Sequence, residues 1–177
     1  MNTFLRTLRL DDFRWYWLES ESTRVGSSAM VFGTFLLLAF DRFGWPDSAL
    51  RATTRFLLIG LYGWLGLALV MFVLVRLAFR QSRSLPTLIR LVAHAHLPLL
   101  FAGVVIQVAG VALDLTGVAR WPALFAGVFW MPAMLTAAIY AWTDLRRHQA
   151  ALSAAVPYLV WAAVVGRHLW FQLEHLL

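Results

Sequence analysis

Long apolar stretches alternate with short polar ones that carry arginine, and the charged positions divide the chain into five runs. An Arg or Asp at the centre of a bilayer costs roughly 2.5–3.5 kcal/mol on the insertion scale, so charges mark where a membrane-crossing segment is expected to stop. Residues 25–40 lie between Arg24 and Asp41. As a helix they reach about 24 Å, short of a hydrocarbon layer of roughly 30 Å. Residues 56–75, between Arg55 and Arg76, hold no charge and reach about 30 Å. Residues 97–113 end before Asp114, with Gln107 as their one strongly polar side chain; residues 121–143 form the longest uncharged run; residues 150–166 stop at Arg167 and His168.

The runs predict an all-α fold, a polytopic membrane protein built as a bundle of five transmembrane helices. A cytoplasmic N-terminal interfacial segment, residues 1–24, would precede a single membrane domain, residues 25–177. If the short first run does not cross, four spans remain and both termini share a side.

A different periodicity occupies the linker after the second run. Leu85, Leu88, Ile89 and Val92 recur at i, i+3, i+4 and i+7, with Arg83, Thr87, Arg90 and His94 on the other side. That pattern predicts an interfacial amphipathic helix lying on the bilayer. Ser84 suits its N-cap and Pro86 its first turn. A shorter version near the N-terminus sets Phe4, Leu5 and Leu8 against Arg6 and Arg9.

Composition supports the membrane assignment. Of 177 residues, 61% are hydrophobic and 14% charged. A soluble domain needs a polar outer surface, whereas a membrane bundle can be apolar inside and out. The absence of cysteine excludes disulfides and thiolate metal sites. All fifteen basic residues are Arg. With the N-terminus inside, ten of them fall in cytoplasmic segments and five outside, the excess that orients a chain N-inside and C-outside. Arginines at such a face meet anionic lipid headgroups, each contributing on the order of 1 kcal/mol. Membrane lipid is therefore the expected partner and the expected bound ligand, and nucleic acid is not. Trp121 and Trp142 bracket the fourth run as interfacial aromatics, whereas Trp64 and Trp130 fall inside their runs as packing residues.

The uncharged second run with Trp64, the polar turn Arg80-Gln81-Ser82-Arg83-Ser84, the amphipathic stretch from Leu85 to Ala93, and His94-Ala95-His96-Leu97-Pro98 together resemble the Yip family. These are Rab-interacting five-span membrane proteins in eukaryotes, with relatives in bacteria. The likeness covers roughly residues 55–165 and rests on the order of these features; His94 stands where the family usually has an aromatic, and a glycine common in the preceding turn is missing. The resemblance implies five spans, a cytoplasmic N-terminus, a short outer C-terminus and, for a bacterial member, the inner (cytoplasmic) membrane. It supplies no catalytic residues.

Chemistry is sparse. No carboxylate pair, HExxH, GxSxG or phosphate-loop pattern occurs, and no enzymatic activity or metal site is expected. Among the five histidines, His94, His168 and His175 are candidate cofactor ligands, since His is a common haem and metal ligand. His94 and His96 lie about 200° apart on a helix and cannot grip one ion from one face. His168 and His175 share a face, beside Glu174. Gln107, near the middle of the third run, needs a partner on another helix, and such amides more often join helices than line a pathway.

Glycine seams point to assembly. Gly60, Gly63 and Gly66 recur every three residues, and Gly103, Gly110 and Gly117 every seven, spacings that let helices approach closely. The candidate interaction residues are thus Gln107, Gly103, Gly110, Gly117, Arg83 and Arg90. The reading is a non-enzymatic scaffold or interaction protein, either acting in membrane organisation or bound as an accessory subunit of a larger membrane complex, with other membrane subunits or a second copy as partner and no resident cofactor. A small transporter or channel with its polar site near Gln107 is the alternative; a haem- or pigment-binding subunit is a third.

Overall fold

The computed structural model describes residues 24–40, 47–105, 108, 121–122 and 124–166. All regular structure among them is helical. The elements are α1 (Arg24–Phe40), α2 (Asp47–Phe79), α3 (Leu85–His94), α4 (Leu97–Val105), α5 (Met131–Trp142) and α6 (Arg147–Trp161). Two π-helical segments join them: Ala126–Trp130 leads into α5, and Ala162–Gly166 continues α6. Among the described residues two stretches are long and apolar enough to cross a bilayer: Gly60–Phe79 within α2, and Leu85–Val105, which takes in α3, its junction and α4. Ser28–Leu37 and Ala126–Trp142 are shorter apolar helices.

α2 does not stop at the charges expected to bound it. It begins at Asp47 and runs through Arg51 and Arg55 before the apolar run, for 33 residues in all. That length is about 50 Å, well beyond one hydrocarbon layer. Arg, Ala and Leu are good helix formers, and a charge ends a membrane span without ending a helix. What ends α2 is Arg80, whose φ of 52° is left-handed, the conformation that closes many helices and that glycine adopts at least cost.

The interfacial helix expected at residues 85–93 forms, but it occupies a different place. α3 buries Leu88, Leu91, Val92 and Ala93 and packs against α1, α2 and α5. Its backbone is pinned from two sides: Trp64 Nε1 donates to the Ile89 carbonyl at 3.1 Å, and Trp142 Nε1 to the Ser84 carbonyl at 3.2 Å. Trp142 is therefore buried in the bundle instead of sitting half-wet at a headgroup boundary. Ser84 holds the N-cap position and Pro86 the first turn, yet the Ser84 hydroxyl makes no capping bond. Its carbonyl does the joining instead.

Only Ala95 and His96 separate α3 from α4. Pro98 has no N–H, so the helical ladder cannot continue unchanged through this point. The chain tightens, with His96 N donating to Ala93 O at 3.1 Å, and resumes as Leu100 N donates to His96 O at 3.0 Å.

α5 and α6 pack closely as a hairpin around a short connection. Gln149 Oε1 accepts the Arg146 N–H at 3.1 Å, satisfying a donor left over at the helix start. Arg83 pairs with Asp144, which with the Trp142–Ser84 bond places the turns at residues 80–84 and 143–146 at one end of the bundle. Phe35, Met71, Leu88, Met131, Leu135 and Ile139 are fully buried between the helices.

Candidate functional site

The break between α3 and α4 puts His96 in the interior, with no exposed surface. Its Nδ1 lies 2.8 Å from the Val92 carbonyl. A carbonyl only accepts, so Nδ1 carries the proton. In the neutral ring this leaves a lone pair on Nε2, and that atom has no hydrogen-bond partner among the described residues. The Phe35 ring stands 6.0 Å away at a tilt, and the Trp161 ring meets it edge-on at 5.9 Å. Trp161 Nε1 is likewise buried without a partner.

Trp161 is held in place by its own turn of α6. Tyr158 stacks on it at 5.6 Å, and the Tyr158 hydroxyl donates to the Gly127 carbonyl. The π-helical segment explains why that carbonyl is available. Met131 N–H is turned back to Ala126 O, five residues behind, so it does not serve Gly127. The next amide in a π pattern would be residue 132, a proline without N–H. Gly127 O is left over, and Tyr158 supplies the missing donor, as buried backbone acceptors require.

Of the expected site residues, His94 is half-buried and its Nδ1 bonds the Arg90 carbonyl at 2.8 Å. It shares no site with His96, in keeping with their angular separation. His168, His175 and Glu174 lie outside the described residues, as do Gln107, Gly110 and Gly117. Gly103 is buried. Gly60 and Gly66 do not act as one seam: Gly60 lies under the Phe35 ring, whereas nothing lies within 4 Å of a Cβ built on Gly66. Arg83 is exposed and paired to Asp144, and Arg90 is half-buried. Trp130 is partly exposed and packs against Phe101 of the neighbouring α4, with ring centroids 6.1 Å apart, as a packing residue. Among the described residues no group of three or more His, Cys, Asp or Glu is gathered as a metal site.

His96 is the residue that pattern reading passed over in favour of His94. The signal was present. Extending the apolar stripe Leu85, Leu88, Ile89, Val92 by four residues lands on His96, whereas His94 lies with Arg90 on the other side. A buried polar side chain on the inward stripe is the one to suspect.

Comparison with protein-family models, with curated proteins and with solved structures yields no match.

Proposed function

We propose that the chain is an integral membrane protein of five spans, N-inside and C-outside, that serves as a non-enzymatic scaffold or accessory subunit in a larger membrane assembly. The observation that supports this reading is where its apolar side chains are. Tyr62, Leu69 and Leu77 on α2, Phe125, Val128 and Phe129 at the π-helical segment, and Leu152, Leu159 and Val160 on α6 are all exposed, Tyr62 and Leu77 to 72% and 75%. Only 28% of the span Gly60–Phe79 is buried inside the bundle. Soluble monomers rarely expose contiguous apolar patches beyond a few hundred Å²; lipid chains or partner helices cover such faces without cost. Exposed Arg76, Arg80, Arg83, Arg146 and Arg147 sit at the end of the bundle where the two short turns meet, as cytoplasmic residues facing anionic headgroups would. The reading does not rest on the likeness to the Yip family, for which no family model matches.

Extraction in a mild detergent followed by native mass spectrometry tests it. The protein should resist alkaline washing of membranes and then appear in fixed stoichiometry with other subunits or further copies, carrying lipid. Release by the wash, or a lone monomer under every mild condition, would overturn it.

A further inference from the structure

Three buried side-chain atoms among the described residues lack a hydrogen-bond partner: His96 Nε2, Trp161 Nε1 and Ser153 Oγ. Leaving such a group unpaired forfeits the hydrogen bonds it made to water in the unfolded chain, so each is a place to ask what the protein is built to hold. Two of the three belong together. His96 and Trp161 meet ring to ring, with centroids 5.9 Å apart and planes at 85°. Ser153 lies eight residues before Trp161, about 12 Å away along the axis, beyond the reach of a small guest shared with them.

The two atoms are chemically complementary. Val92 O accepts the hydrogen bond of His96 Nδ1–H, so Nε2 of the neutral imidazole is an acceptor only. An indole nitrogen is a donor only. They do not bond each other. An oxygen about 2.9 Å from each nitrogen bridges a separation of up to roughly 5.8 Å. A single group that satisfies both accepts from Trp161 and donates to His96, and the one that does so without bringing charge into an apolar interior is a hydroxyl. A cation on Nε2 would leave the Trp161 N–H unpaired, and no cluster of ligating side chains gathers here among the described residues. An anion would meet the Nε2 lone pair head-on.

We propose that His96 and Trp161 form an internal binding site for one neutral hydroxyl, either a buried water or the hydroxyl of a small organic molecule drawn from the membrane. The site is preorganised. Trp161 is stacked on Tyr158, which is tied to Gly127 O; His96 is fixed by the α3–α4 break and backed by Phe35. A guest here would tie the α3–α4 junction to α6, two parts of the bundle joined at this level by ring contacts.

The test is nuclear magnetic resonance of the full chain in lipid nanodiscs, with histidine and tryptophan nitrogens labelled, alongside native mass spectrometry of the same preparation. The expected result is a neutral His96 protonated at Nδ1, its Nε2 shifted upfield from a free imine nitrogen, and a cross-peak from the Trp161 indole proton to a proton that is not the protein's. If that proton resonates with solvent and disappears in D2O without a retained mass, the guest is water. If a small organic mass is retained and is lost in Trp161→Phe, the guest is that molecule's hydroxyl. A proton on His96 Nε2, or no non-protein proton near either nitrogen, overturns the site. Trp161→Phe keeps an aromatic side chain while removing the N–H donor with the pyrrole ring, so it remains informative where His96→Leu fails to fold.

Discussion

A Cβ built on Gly60 would collide with the ring of Phe35, which is buried and also packs at 6.0 Å from the His96 ring. The overlap falls at the root of the ring, on atoms that move only if the buried ring does. Gly60→Ala should therefore destabilise the bundle by about 1–3 kcal/mol, the usual cost of overpacking. Gly66 has the same spacing in sequence but open space where its side chain would be. Gly66→Ala should be neutral or stabilising by up to about 1 kcal/mol, the difference in helix propensity. Unfolding of the detergent-solubilised protein by titration with a denaturing detergent measures both. Equal losses for the two variants would mean that the glycines form one close-packed seam after all. Nothing in the repeat at positions 60, 63 and 66 separates them, since the distinction lies in which neighbour covers each.

Among the elements, α3 shows how far pattern carries. Its position, its cap residue and its amphipathic stripe were all legible in the Leu85, Leu88, Ile89, Val92 spacing, because those are local properties of one helix. What the stripe faces was not legible. An apolar face docked on a bilayer and one docked between α1, α2 and α5 have the same periodicity, and only the tertiary neighbours tell them apart. The same limit hid the length of α2, which continues through Arg51 and Arg55, and the surroundings of His96, which depend on what stands opposite its ring. Trp64 and Trp142 decide the placement of α3 by donating to Ile89 O and Ser84 O. Each replacement by Phe removes the N–H with the pyrrole ring of a buried indole, and should cost about 1 kcal/mol for the hydrogen bond plus a cavity term. The acceptors are five residues apart, about 7.5 Å along the axis, so the double variant should lose the sum to within about 0.5 kcal/mol. A double variant no worse than either single one would show that α3 does not depend on both indoles.

At the scale of the whole molecule, the Arg83–Asp144 pair fixes a topological relation that charge counting only suggests. The pair itself is exposed, at 41% and 63%, and pairs of that kind contribute between nothing and about 1 kcal/mol. Its value is geometric, because it brings two turns separated by 61 positions to one end of the bundle. Thr54, in α2, lies 25 residues before Phe79 at that end, about 37 Å away along the helix, farther than the thickness of a hydrocarbon layer of roughly 30 Å. The chain has no cysteine, so single replacements report position without background. Ser82→Cys and His148→Cys, both exposed, should react with a membrane-impermeant thiol reagent from the same side, and Thr54→Cys from the opposite one. If the arginine excess orients the chain, that shared side is the cytoplasmic one, and right-side-out vesicles should label Thr54→Cys alone. Labelling of all three from one side would remove the spanning arrangement of α2 itself, whereas the reverse pattern would keep the fold and invert its orientation.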